Sequence, residues 1–468
     1  MPTPSFLAGA ARVDITPPLG TLINGDLITH YARSIHDALY AKALVMQSGK
    51  QMVAIVVVDS CAMPKEFLDE VKAGIHQQTG ILPDNMLISS THTHAAGSVM
   101  SLLMGGADLP YRQKLAGLIP RAVERAIQQL RPAKIGYGRV DAPEHVVCRR
   151  FFMKDGYEAV NPVTGGLDDI KTNPFGAEAF IDHRASVVDP EVSFLAVRGL
   201  DDQWISVLAN YSLHYVGDWE NGTITADYFG VFSEQIREKL GAGDDFIGMM
   251  SNGTSGEVNI WDFLNPGRYP GAFFAKSQLI GSDLAEKICA SLPTVDWQTN
   301  PQLASQYAEV SVGVRKPTPA EVEAAKTVVA TTDFERMTAS ADDWYPVYAR
   351  EQVLLNDYPD SINFPVQAIQ LGSGMIGALG GEFFAETGLQ LKAALPGTSY
   401  FTMTMANGYV GYVPPAHELK RGGYETWRCR TSFLEESAEE IIRTRLLYLL
   451  QTKNEAVTVG VQQPGLEI

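Results

Sequence analysis

Three stretches of this chain repeat one order of elements, and that repeat limits the possible folds more than any other feature. Each stretch has two apolar runs around a tight turn, then a helical run, then a short apolar run that stops at polar residues. In the first, residues 39–45 and 52–58 predict a hairpin around Ser48-Gly49-Lys50, ending at Asp59. Phe67, Leu68, Val71 and Ile75 then fall at helical spacing within 65–78, and a strand over 86–88 runs into Ser89-Ser90-Thr91-His92-Thr93-His94. In the second, 192–197 and 204–208 turn at Leu200-Asp201-Asp202 and continue to His214. A helix over 228–240 and a strand over 246–250 follow, entering Ser251-Asn252-Gly253-Thr254-Ser255-Gly256-Glu257. In the third, 366–371 and 375–379 flank Gly372-Ser373-Gly374 and end at Gly380-Gly381-Glu382. A helix over 384–394 and a strand over 400–405 then reach Ala406-Asn407-Gly408-Tyr409. The pattern predicts an α/β fold with mixed sheets built from three β-hairpin–helix–strand units. Polar groups collect just past the strand ends, where open α/β sheets bind ligands.

Outside the units, 317–357 is Ala- and Glu-rich and reads as a helical insertion. Ile441, Ile442, Leu446, Leu447 and Leu450 line one face of a final helix over 435–450, and 452–468 reads as a loosely held tail. The chain is 468 residues long and 45% hydrophobic, ample for a large core, yet no run of 18 apolar residues crosses a membrane. Its start lacks the basic-then-apolar pattern of a secretory signal, so a cytoplasmic location is expected. A formal net charge of −17 argues against nucleic acid or an anionic membrane as partner; the expected partner is a small-molecule substrate. Cys61, Cys148, Cys289 and Cys429 show no paired spacing, so neither a disulfide framework nor a cysteine zinc site is indicated.

Three of the nine histidines, His92, His94 and His214, fall at the strand ends. On extended backbone His92 and His94 point the same way, so one can bind a metal while the other meets substrate. Judged alone, His214 serves equally well as a core histidine. Glu382 follows two glycines after an apolar run, and a carboxylate buried there needs a cation, an arginine or backbone donors. Together the residues have the His, His and carboxylate composition of a catalytic zinc site.

This set resembles the neutral ceramidase family, the non-lysosomal zinc amidases. The resemblance runs from Gly9-Ala10-Ala11-Arg12-Val13-Asp14-Ile15-Thr16-Pro17-Pro18 through Ile35-His36-Asp37, Thr91-His92-Thr93-His94, Thr225-Ala226-Asp227 and Gly381-Glu382. It ends with Asn407-Gly408-Tyr409-Val410-Gly411-Tyr412-Val413-Pro414 and Tyr424-Glu425, covering about 6–450. It implies a neutral-ceramidase-like catalytic domain over 1–451 and a zinc ion held by His92, His214, Glu382 and Tyr412. It also implies that His94, Arg149 and Tyr424 surround the substrate carbonyl, with Arg150 adjacent and able to exchange roles with Arg149. Asp37 and Asp59 look like supporting or structural carboxylates.

One departure changes the expected chemistry. Ceramidases carry a serine, proposed as nucleophile, within G-D-V-S-P-N; here Gly256-Glu257-Val258-Asn259-Ile260-Trp261 puts Asn259 at that position. An amide cannot form an acyl-enzyme. The expectation is therefore a zinc-dependent hydrolase of a small polar amide, ester or lactone, working through activated water rather than on ceramide. A zinc-dependent isomerase, lyase or glycoside-processing enzyme on the same fold stands as one alternative. A non-catalytic metal-binding protein stands as the other.

Overall fold

The computed structural model describes residues 6–23, 25, 28–337 and 344–452. All three hairpins form, and each gains a preceding strand. β1 (Phe6–Asp14) pairs antiparallel with β2 (Tyr40–Ser48), which pairs antiparallel with β3 (Gln51–Val58). Helix α1 (Lys65–Thr79) then returns the chain to β4 (Met86–Ser90), parallel to β3. After α2 (Leu109–Gln128), the order recurs in β5 (Arg131–Asp141), β6 (Glu191–Gly199), β7 (Trp204–Tyr211), α3 (Asp227–Lys239) and β8 (Ile247–Asn252). Helix α4 (Ala275–Ser291) separates this from the third unit. There β9 (Leu303–Gly313) is followed by the insertion helices α5 (Pro319–Thr331) and α6 (Trp344–Asn356), then β10 (Ser361–Leu371), β11 (Gly374–Leu379), α7 (Ala385–Ala393) and β12 (Ser399–Met403). A short helix, α8 (Ala416–Arg421), and α9 (Ala438–Gln451) close the described chain.

The first two units join edge to edge through β1 and β5, at Leu7↔Pro132 and Ala8↔Arg131. They make one eight-stranded sheet ordered β8-β7-β6-β5-β1-β2-β3-β4; the third unit makes a four-stranded sheet ordered β9-β10-β11-β12. The two sheets pack face to face through Leu44, Ile55, Leu195 and Leu208 on one side and Ile369, Ile376, Phe401 and Met403 on the other. Alternate residues of the same strands, such as Ala43, Val45 and Val56, face α1 and α2 instead. The second half packs likewise on α3 and α4, and the four-stranded sheet of the third unit on α9. Sheets covered on both faces explain why these strands read as continuous apolar runs rather than as alternation. Among the described residues, no helix is long and apolar enough to cross a membrane.

The final helix starts at Ala438 rather than 435, because Glu435 is held at the end of β9. Its backbone N–H and its carboxylate both bond Gly313. The predicted tail lies outside the described residues beyond Thr452.

The repeat has a consequence at the rim. The third residue after β3, β7 and β11 is Cys61, His214 and Glu382 respectively, so equivalent positions of three units supply one neighbourhood. Asp59, two residues earlier in the first unit, is a structural carboxylate. It is fully buried and accepts from Lys42 Nζ at 3.0 Å and from the Tyr40 backbone at 2.9 Å. Burial pushes its pKa up, against the pull of Lys42. Lys42→Met strands this carboxylate and is expected to cost about 3–5 kcal/mol of unfolding free energy, most of it recovered in Lys42→Met/Asp59→Leu. Chemical denaturation of the three proteins checks this, and equal losses in the single and double variants would show that the pair is not what Asp59 serves.

Candidate metal centre

His92 follows β4 with φ of 72°, a left-handed conformation unusual for a non-glycine residue. Its amide donates to Ser60 O at 2.9 Å, and its Nδ1–H donates to Cys61 O at 2.8 Å. His214, from the equivalent rim of the second unit, donates Nδ1–H to Ser255 O at 3.0 Å. A carbonyl oxygen only accepts, so each ring carries a proton on Nδ1, and in its neutral form presents a lone pair at Nε2. Burial, then Arg149, His92 and His94, push the His214 pKa well below its ordinary value, which keeps that ring neutral.

Those two Nε2 atoms lie 3.2 Å apart, and Glu382 Oε2 lies 3.6 Å from one and 3.4 Å from the other. All three residues are at most 2% exposed. Tyr409 donates its hydroxyl to Glu382 Oε1 at 2.6 Å, which leaves Oε2 buried with no hydrogen-bond partner among the described residues. With both rings neutral, three buried acceptors converge with no proton to share between these two histidines. A cation resolves that arrangement, and two imidazole nitrogens with a carboxylate oxygen are a transition-metal donor set. Other groupings are weaker. Cys61, His92 and His94 share His92 with the triad. Glu144, His145 and Asp283 also cluster, but Lys287 pairs with both carboxylates and His145 already bonds Asp283 and Tyr269.

The other residues singled out in the sequence gather here unevenly. His94 Nε2 lies 3.2 Å from His92 Nε2, and its ring stacks on Tyr215. Tyr412 pairs with Glu382 across a short parallel bridge, and its hydroxyl accepts from Arg149 Nη2 at 3.0 Å. Burial, then Glu382, raise the Tyr412 pKa well above the ordinary phenol, while Arg149 opposes them. The Tyr424 ring packs edge-on to Tyr412 at 5.6 Å. Asn259 is engaged elsewhere: it donates to Asn173 Oδ1 at 3.0 Å and accepts from the Trp261 backbone at 2.9 Å. Asp37 accepts from Thr225 Oγ1 and the Ala226 backbone, fixing the start of α3.

The two arginines divide clearly. Arg149 donates Nη2 to Gly256 O at 2.7 Å as well as to Tyr412, and Nε to Glu425 Oε1 at 2.8 Å. Arg150 points away from the centre, to Glu425 Oε2 at 2.8 Å and Glu418 Oε2 at 2.9 Å. Burial opposes ionisation of Glu425, but Arg149 and Arg150 hold it below the usual carboxylate range. Gly256 lets this loop lie on the third unit, since a Cβ there would sit 2.6 Å from Glu382 O. Sequence reasoning missed Tyr409 and Glu425 as functional supports, although both stand inside the motifs that carry the resemblance.

No protein-family model matches the chain. Its fold is that of the neutral ceramidases. The crystal structure of neutral ceramidase from Pseudomonas aeruginosa aligns with a TM-score of 0.71 at 16% identity, over 96% of this chain and 74% of that one. A structure of a ceramidase complexed with C2 aligns at 0.68, also with 16% identity, over 96% and 75% of the two chains.

Tyr409 orients Glu382, so Tyr409→Phe is expected to weaken transition-metal binding by about 10–100-fold. Competition with a fluorescent chelator measures this, and an unchanged affinity would mean that Glu382 needs no such support.

Proposed function

We propose that this chain is a zinc-dependent hydrolase of a small polar amide, ester or lactone, and that ceramide is not its substrate. The observation that carries the reading is the set of three facing acceptors, His92 Nε2, His214 Nε2 and Glu382 Oε2, with Arg149 and Tyr424 grouped around the adjoining Tyr412. His92, His214 and Glu382 would hold the ion, with Tyr412 as the fourth ligand. Zinc bound there would act as a Lewis acid and lower the pKa of water toward neutrality.

The chain's own groups supply the rest. His94 is partly buried beside the triad and serves as the proton carrier between attacking water and leaving group. Tyr424 and Arg149 stabilise the oxyanion as the carbonyl becomes tetrahedral. Glu425 fixes the guanidinium of Arg149 so that its position costs nothing at the moment of reaction.

Neither hydroxyl of the loop that carries Asn259, on Thr254 or Ser255, replaces the missing serine. The Asn259 amide is bonded at both ends. Ser255 gives its hydroxyl to Asn252 Oδ1 at 2.7 Å, and Thr254 is buried against Gly388. Neither hydroxyl has a base, so water is the attacking group.

Purified protein is expected to hold about one zinc per chain, and His92→Ala or His214→Ala to lose it. Tyr412→Phe should weaken metal binding, whereas Tyr424→Phe should keep the metal and lower turnover. Elemental analysis with steady-state kinetics separates the two, and equal metal loss would show that the tyrosine roles are misassigned. In ¹⁸O-labelled water a single turnover should carry label directly into product, without a pre-steady-state burst. A covalent adduct on Thr254 or Ser255 would contradict the water mechanism, and ceramide cleavage would contradict the substrate assignment.

A further inference from the structure

A cavity of about 290 Å³ opens between the 173–178 turn and the 260–276 loop. None of His92, His94, Arg149, His214, Glu382 and Tyr412 lines it, so it is separate from the metal centre. Phe175, Trp261 and Phe263 form its apolar walls. The Phe175 ring packs edge-on to both others, with centroids 5.2 Å from Trp261 and 4.9 Å from Phe263. Phe263 is buried and rests on Phe151, whereas Phe175 stays 63% exposed. A ring so exposed has a free face for a ligand to cover.

The turn that carries Phe175 is held in place. Asn173 and Gly176 take left-handed backbone, with φ of 46° and 73°, and the Phe175 amide donates to Asn173 O at 2.7 Å. Asn259 braces the turn from below. Its amide group donates to Asn173 Oδ1, and its oxygen accepts from the Trp261 backbone. One side chain therefore ties the segment bearing Phe175 to the segment bearing Trp261. The residue that cannot serve as a nucleophile holds two walls of this cavity together.

The charges of the lining narrow the ligand. Asp262 is buried and spent within the chain, paired with Arg184 at 2.6 Å and with Arg268 at 3.3 Å. Arg268 also donates to Glu144 O. Glu178 is exposed, and its Oε1 accepts from the Gly176 backbone at 3.0 Å. Lys276 differs from these. It is partly buried in the first turn of α4 and lines the cavity, and its ammonium has no ion-pair partner among the described residues. Asp218 accepts from the backbone N–H groups of Lys276 and Ser277, which caps the helix and leaves the ammonium free. A cation in the first turn lies against the positive end of the helix dipole, and a bound anion relieves it. Flat aromatic walls with one unpaired ammonium suit a flat ring that carries a single negative group. The volume lies at the lower end for small-molecule pockets, which excludes an extended chain.

We propose that this cavity binds a small aromatic carboxylate, its ring among Phe175, Trp261 and Phe263 and its carboxylate on Lys276. The site does not rest on the hydrolase reading.

Calorimetric titration of the zinc-loaded full chain tests it, using indole-3-acetate and phenylacetate against indole-3-ethanol, 2-phenylethanol and acetate. At least one aromatic acid is expected to bind saturably at millimolar concentration or below. It should bind about tenfold more tightly than the alcohol with the same ring, and more tightly than acetate by at least as much. Lys276→Gln should bring acid and alcohol to similar affinity. Phe175→Ala should weaken both about tenfold. Both side chains stand outside the core, so zinc content and the far-ultraviolet spectrum should not change in either variant. No saturable binding of either acid, or an alcohol that binds as tightly as its acid, would overturn the site. Acid affinity unaltered in either variant, the result for an acid held on the zinc instead, would overturn it too.

Discussion

Two imidazole nitrogens facing one another at 3.2 Å, closed by a buried carboxylate oxygen with no hydrogen-bond donor among the described residues, form the constraint around which this molecule is organised. Left alone, such an arrangement is repulsive, and burial removes the water that would relieve it. It persists because each participant is fixed from behind. The Cys61 and Ser255 carbonyls lock the tautomers of His92 and His214, and Tyr409 takes up the other oxygen of Glu382. Those fixing groups come from the same rim as the histidines and the carboxylate. Cys61, His214 and Glu382 are equivalent positions of the three units, one giving a backbone carbonyl where the others give side chains.

Around this centre lies a second layer, the buried chain Arg149–Glu425–Arg150–Glu418. Buried ion pairs contribute little net stability, because removing the charges from water costs about as much as their attraction returns. Their use here is positional. Glu425 is shared between two guanidinium groups and also accepts from Thr172 Oγ1 at 2.7 Å, so Arg149 has one orientation, toward Tyr412 and Gly256 O. Preorganisation of this kind suits a group that must meet developing negative charge.

Much of this was legible in the sequence. The hairpins, their helices and their closing strands follow from apolar spacing and turn residues, because local pattern fixes them. The opening strands β1, β5 and β9 were not grouped with their units, since each is separated from its hairpin by an insertion and pairing across an insertion leaves no local trace. β5 is the hardest to see: Arg131, Pro132, Lys134, Gly136, Gly138 and Arg139 interrupt its apolar pattern. Its glycines are required by packing, as a Cβ at Gly138 would meet the Phe194 ring at 2.2 Å. At the site, the type and position of His92, His214 and Glu382 were readable, and the structure brings them together. The choice between Arg149 and Arg150 was not, because adjacent residues at the break between two short strands differ only in which way they point. Tyr409 was not either, since a hydrogen bond to one carboxylate oxygen has no signature in a single chain.

The most direct test of the account is an anomalous-difference map from crystals of the zinc-loaded protein, collected on either side of the zinc absorption edge. The account predicts one strong site bonded to His92 Nε2, His214 Nε2 and Glu382 Oε2. Anomalous density only at Glu144, His145 and Asp283, or none in fully loaded crystals, would contradict it.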